Sequence, residues 1–186
     1  MKAMLLTIVL FFSSFSHAAL VQLHSERSVY QLGETITVTL KISDFSETLG
    51  GFTAEMLYPK TLLTLLGWQF GTGFDDGLGD YPFDDHDADA GVIFVSNYAD
   101  IWADESVLAS KQGNSFVLAT FSLLASSVGE LWLGLTPAQL SVLSFDNQFI
   151  DVTGSGLALS INPAQVPAPA ALLLILSGLL LMRRRA

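Results

Sequence analysis

The 186-residue chain contains no cysteine, which excludes a disulfide framework, a thiolate metal site and a lipid-modified cysteine. Basic residues are scarce. Eight Lys and Arg stand against 18 Asp and Glu. All 18 acids fall between Ala19 and Gln165, where the only basic residues are Arg27, Lys41, Lys60 and Lys111. That stretch carries a net charge of −14, against −10 for the whole chain. A surface this acidic repels nucleic acid and anionic lipid headgroups, so no nucleic-acid partner is expected. Catalytic signals are sparse too. Gly154-Ser155-Gly156 lacks the spacing of a nucleophile elbow, and only His24 and His86 lie beyond the first 18 residues. Paired carboxylates occur only in one acidic stretch, and cations that could stabilise developing charge are few. The expectation is a protein that is not an enzyme.

What the chain does have is two apolar ends. Lys2 is followed by an apolar stretch from Met4 to Phe15 and then by Ser16-His17-Ala18. This is the pattern of a secretory signal peptide over residues 1–18, cut by signal peptidase between Ala18 and Ala19. At the other end, Val166-Pro167-Ala168-Pro169 leads into Ala170–Met182, which holds seven Leu and one Ile and no charge. Arg183, Arg184 and Arg185 follow. A helix with no polar face does not lie on a protein surface. At helical rise the thirteen apolar residues span about 20 Å, short of a hydrocarbon core of about 30 Å. Snorkelling arginines cover part of that mismatch and stay on the cytoplasmic side. Residues 170–186 are therefore expected to form a transmembrane helix with an Arg-rich cytoplasmic end, and residues 162–169 a Pro-rich spacer. A permanent anchor and a buried terminal core helix are the other readings of the same segment.

The order Val-Pro-x-Pro, Leu-rich helix and terminal Arg cluster resembles the PEP-CTERM sorting tail of Gram-negative bacteria. The resemblance covers roughly Val166–Arg185, and Ala168 stands where that family usually has Glu. It implies an exported protein held at the inner membrane and recognised near Val166, Pro167, Ala168 and Pro169 by an exosortase-like transpeptidase. It further implies a link to exopolysaccharide and biofilm, with release to the cell surface or matrix after processing.

Between the ends, alternation dominates. Thr35–Ile42 sets Ile36, Val38, Leu40 and Ile42 on one face and Thr35, Thr37, Thr39 and Lys41 on the other, as in a half-buried strand. Phe52–Tyr58 alternates until Pro59. Val21–His24, Val92–Tyr98, Leu131–Leu135, Phe149–Val152 and Leu157–Ile161 read as further strands. Leu62–Phe70 reads as a buried strand or a helix turn, Phe116–Leu124 as a strand covered on both faces, and Ile101–Lys111 as a segment with one helical turn. About eight or nine strands with no long amphipathic helix predict an all-β, two-sheet β-sandwich over residues 19–161.

Val29-Tyr30-Gln31-Leu32-Gly33-Glu34 before an alternating strand, then Gly51-Phe52, Leu57-Tyr58-Pro59 and Leu62, is similar to cohesin-type domains. Leu118–Leu123 followed by Gly129–Leu135 continues the pattern. The resemblance implies a nine-stranded jelly roll, related in shape to carbohydrate-binding modules. Classical members bind dockerins, but similar domains also occur in surface proteins with no known dockerin, so the resemblance implies the fold and leaves a dockerin-like partner as one option.

Asp75–Asp89 holds seven aspartates and His86. Asp85, Asp87 and Asp89 keep the 1, 3, 5 spacing of an EF-hand loop, but Ala90 replaces the turn glycine and Ser96 the bidentate glutamate. A solvated acidic loop and a looser Ca2+ site at Asp84, Asp85, Asp87 and Asp89 are both compatible with this pattern. A transition metal on His86 lacks a second nearby histidine. Among the aromatics, Trp102 lies between Ala and Asp in a loop. It is the candidate platform for extracellular polysaccharide, which makes a membrane-tethered carbohydrate-binding module the alternative to a protein-interaction module.

Overall fold

The computed structural model describes residues 18–164. The expected signal peptide, apart from Ala18, and the whole sorting tail from Val166 to Arg185 lie outside the described residues. Among the described residues, no helix is long and apolar enough to cross a membrane.

The strands are, in chain order, β1 (Ala19–Ser25), β2 (Val29–Gln31), β3 (Thr35–Ser43), β4 (Leu49–Leu57), β5 (Leu63–Phe70), β6 (Phe83–Asp87) and β7 (Val92–Tyr98). One helix, α1 (Glu105–Gln112), separates these from β8 (Ser115–Ala125), β9 (Gly129–Leu135), β10 (Ser141–Ser144), β11 (Phe149–Ile150), β12 (Val152–Ser155) and β13 (Leu157–Asn162). Two sheets result. The five-stranded sheet runs β12-β1-β3-β8-β5. The eight-stranded sheet runs β11-β10-β4-β9-β13-β2, with β7 on the other edge of β4 and β6 beyond β7.

The period-2 pattern explains the layers, because alternate side chains leave a strand on opposite faces. In β3, Ile36, Val38, Leu40 and Ile42 are buried, while Thr35, Thr37 and Lys41 are exposed. Facing them across the core are Phe52, Ala54 and Met56 of β4, Ile93 and Val95 of β7, and Leu131 and Leu133 of β9. Phe74, from the loop after β5, stacks on Phe52 with ring centroids 5.7 Å apart and meets Phe116 edge-on at 5.4 Å. A core built from both inner faces in this way is what a sandwich requires.

The Val29–Glu34 motif acts as a turn. Gly33 adopts φ 87°, Leu32 N–H donates to the Asn162 carbonyl, and Gly33 N–H donates to the Ala125 carbonyl. Arg27 lies 4.4 Å above the Tyr30 ring and pairs with Glu34 at 3.4 Å. The Tyr58-Pro59 motif turns the chain after β4, and the Pro59 carbonyl accepts from both Leu62 and Leu63.

Several expectations need correction. Among the described residues there are thirteen strand segments rather than eight or nine, because β2, β6 and β10 are short or polar and Phe149–Val152 is divided between β11 and β12. Of the two readings of Leu62–Phe70 the strand holds, as Leu63–Phe70, but it lies at a sheet edge and is largely half-buried or exposed. β8 is not covered on both faces: Val117, Thr120, Ser122 and Leu124 are half-buried on its outer side. Phe83–Asp87, read as part of an acidic loop, is a strand paired with β7. The helical turn in Ile101–Lys111 is an eight-residue helix, capped at its start by Asp104 and closed by Gly113 at φ 52°.

The two sheets differ sharply in charge. No strand of the five-stranded sheet contains Asp or Glu. The eight-stranded sheet contains Glu55, Asp84, Asp85, Asp87 and Glu130 and no Lys or Arg.

Candidate docking face

The outer face of the eight-stranded sheet is where apolar groups reach solvent. Register places Phe83 opposite Ser96, Asp85 opposite Phe94, and Phe94 opposite Glu55. Leu57 pairs with Val92 on one side and Gly134 on the other. Phe83 and Phe94 meet edge-on at 6.2 Å. Trp132, next on this face, flanks Gly134 and leans over Gly156, where an added Cβ would strike its ring. Gly156 thus makes room for the indole to lie along the sheet. Phe83, Trp132 and Leu57 are 59%, 60% and 42% exposed. Single exposed apolar residues need no explanation, but a row of them across neighbouring strands does. Glu55, Asp85, Asp87 and Glu130 lie among them on the same outer face, with no cation among the strand residues.

The free edge of this face is braced from behind. His86 faces inward on β6 and shares a 2.7 Å hydrogen bond with the Tyr58 hydroxyl. Its ring also meets Trp68 of β5 edge-on at 5.9 Å, so it closes the gap between the two sheets. Burial, and secondarily the negative charge of Asp87, push the Tyr58 phenol above its ordinary range.

The acidic aspartates divide by role. Asp84 and Asp85 leave β6 on opposite faces. Asp87 Oδ1 accepts from Asp89 N and Ala90 N, both at 2.9 Å, and so builds the β6–β7 turn, which Gly91 completes at φ 70°. Lys60 reaches the Asp89 carbonyl. Among the described residues, no group of three or more His, Asp or Glu side chains is placed to hold a metal ion. The proposed Ca2+ ligands Asp84, Asp85, Asp87 and Asp89 are thus not gathered around one point. Of the 1, 3, 5 triplet, Asp85 and Asp87 lie on strand β6 and only Asp89 lies in the turn after it, so the triplet does not form one loop.

Trp102 lies in the turn between β7 and α1 and is exposed. Ala18 is exposed, and Ala19, the first residue of β1, has a fully buried side chain. Reading the sequence singled out Trp102 alone among the aromatics and did not join Phe83, Leu57 and Trp132 into one patch. The pairing of β6 with β7 and of β4 with β9 creates the patch, and neither pairing is visible locally.

A two-sheet sandwich with this topology defines the jelly-roll class, and the solved structures narrow it to the cohesin fold. No protein-family model matches the chain, and no curated protein matches it. A type II cohesin domain from the cellulosome of Acetivibrio cellulolyticus superposes with a TM-score of 0.66 at 12% identity, covering 77% of this chain and 95% of that one. A non-cellulosomal cohesin from the archaeon Archaeoglobus fulgidus gives 0.60 at 14% identity, with coverages of 78% and 92%. A type II cohesin–X-dockerin complex from Acetivibrio cellulolyticus gives 0.64 at 12% identity, with coverages of 77% and 99%.

Proposed function

We propose that this protein is a non-enzymatic, exported interaction module that docks a partner protein on the outer face of its eight-stranded sheet. The observation that carries the reading is the row Phe83, Leu57 and Trp132, exposed on neighbouring strands beside the half-buried Phe94 and set among carboxylates. Interfaces concentrate binding energy in a few aromatic anchors surrounded by polar groups. The cohesin fold supports a dockerin-like partner, since one of the similar structures is a cohesin held by a dockerin.

The rest of the chain supplies its address in this reading. Residues 1–18 direct export, and cleavage between Ala18 and Ala19 frees β1 at its first buried residue. The Leu-rich segment 170–182 stops in the inner membrane with Arg183–Arg185 inside. Val166–Pro169 is then open to an exosortase-like transpeptidase, which leaves the sandwich outside the cytoplasm, at the cell surface or in a polysaccharide matrix.

Two measurements test the halves separately. The purified protein is immobilised and titrated with dockerin modules, alongside a Leu57→Asp/Trp132→Asp variant. Binding by the parent and at least a hundredfold loss (about 2.7 kcal/mol) in a variant with unchanged circular dichroism is the expected result. Equal binding by the variant removes this face from consideration. Mass spectrometry of the C-terminal peptide from membrane and extracellular fractions tests the tail. An extracellular form ending near Val166–Ala170 supports processing, and a chain ending at Ala186 in both fractions refutes it.

A further inference from the structure

Outside the docking face, two loops meet at one end of the sandwich, and their meeting point holds two exposed rings. Asp76 ties the loops together: its Oδ1 accepts from Leu78 N at 3.0 Å and its Oδ2 from Asp104 N at 2.7 Å. Asp100 ties them again. Its Oδ1 accepts from Trp102 N and its Oδ2 from the Tyr81 hydroxyl, each at 2.8 Å. One carboxylate therefore anchors an aromatic residue from each loop. Tyr81 N–H also donates to the Tyr98 carbonyl at 2.8 Å, which fixes that residue to the end of β7. Yet Tyr81 is 57% exposed and Trp102 is 79% exposed. Tyr81 is held through its own hydroxyl and Trp102 through its main-chain N–H, and large side chains placed in this way but left in water are available to a ligand.

We propose that Tyr81 and Trp102 form a stacking platform for a pyranose polysaccharide that carries no acidic groups. Size is the first reason. Two loop-borne rings fall far short of the roughly 800 Å² per partner that a stable protein interface buries. A ring stacked on one sugar needs little more than its own face. Chemistry is the second. A pyranose offers an apolar C–H face to an aromatic ring and hydroxyl donors at its rim. Each Asp100 oxygen accepts one hydrogen bond and keeps a further lone-pair site for a hydroxyl. Charge is the third. Lys111 reaches the Asp75 carbonyl in the same loop, but among the described residues the one ion pair is Arg27–Glu34, so Asp76, Asp100 and Asp104 have no salt-bridge partner and carboxylates outnumber the cation here. An anionic polymer or an anionic membrane surface is repelled from this end.

Affinity electrophoresis of the full-length protein in detergent tests the proposal. Gels carry hydroxyethyl cellulose, glycol chitin or alginate. Retardation is expected in at least one of the first two and not in alginate. Trp102→Ala should weaken it by about tenfold, since a ring contact of this kind is worth on the order of 1 kcal/mol. Trp132→Ala, on the docking face, should leave it unchanged. Trp102 is a solvent-facing turn residue, and matching circular dichroism establishes that the variant folds. No retardation in either non-acidic polymer overturns the proposal. So does retardation that survives Trp102→Ala, or that falls equally with Trp132→Ala.

Discussion

The side chain of Gln112 hydrogen-bonds the main chain of Leu49 as a neighbouring strand would. Its Oε1 accepts from Leu49 N and its Nε2 donates to the Leu49 carbonyl, both at 2.8 Å. The Nε2 also donates to the Gly73 carbonyl at 3.0 Å. Gln112 is the last residue of α1 and is almost fully buried, so the helix is pinned to the start of β4 by one amide. A buried peptide group with no partner is costly, and this amide serves two peptide carbonyls and one N–H.

Gln112→Ala should therefore destabilise the fold by about 2–4 kcal/mol, read as a lower urea midpoint with an unchanged m-value. Gln112→Glu keeps the acceptor for Leu49 N but loses both donated bonds, and should fall close to alanine. A midpoint within experimental error of the parent for Gln112→Ala would show that the three main-chain groups find other partners.

Acid should loosen the loop end first. Hydrogen bonds from the Ser106 hydroxyl, Ser106 N and Val107 N hold the Asp104 carboxyl below its usual range. The N–H groups of Gly77 and Gly79 do the same for Asp75, and those of Asp104 and Leu78 for Asp76. A group whose folded pKa is depressed stabilises the fold above its unfolded value and loses that effect as pH falls through the folded one. Stability should thus be flat from neutral pH down to about pH 4 and decline below it. Asp104→Asn, which keeps an N-cap acceptor without the charge, should flatten part of that decline. An identical pH profile in this variant would count against Asp104 as a source.

Calcium should leave the sandwich indifferent. Asp84 and Asp85 point to opposite sides of β6, and Asp87 already serves two N–H groups of its own turn. Millimolar calcium or excess chelator should shift the thermal midpoint by less than about 1 °C, since a ligand that does not bind the native state cannot stabilise it. A rise of several degrees with calcium would show a site assembled from groups that are apart in this conformation.

The inner layers could be read from the chain because their pattern is local. Ile36, Val38, Leu40 and Ile42 alternate with threonines, and no other secondary structure buries all four on one face. The cohesin-like motif at Val29–Glu34 and Tyr58-Pro59 was visible for a similar reason, since both are turns fixed by a few residues. The acidic strand was not visible. Phe83-Asp84-Asp85-His86-Asp87 has no apolar alternation and becomes a strand only because β7 offers it a partner. Intrinsic β-preference yields there to tertiary pairing. The docking row and the Tyr81–Trp102 platform were hidden likewise. Each joins residues from separate strands or loops, and of these only Trp102 stood out singly.

β13, the last strand, lies between two partners: antiparallel β9 on one edge and parallel β2 on the other. A pull on the chain beyond Asn162 runs along this strand, at right angles to the antiparallel bonds that hold it to β9. Those bonds are then loaded together, in shear, instead of opening one after another from a free end. Force applied along β13 would thus be met by the whole β9–β13 ladder at once, with the parallel pairing to β2 on the other edge adding to it.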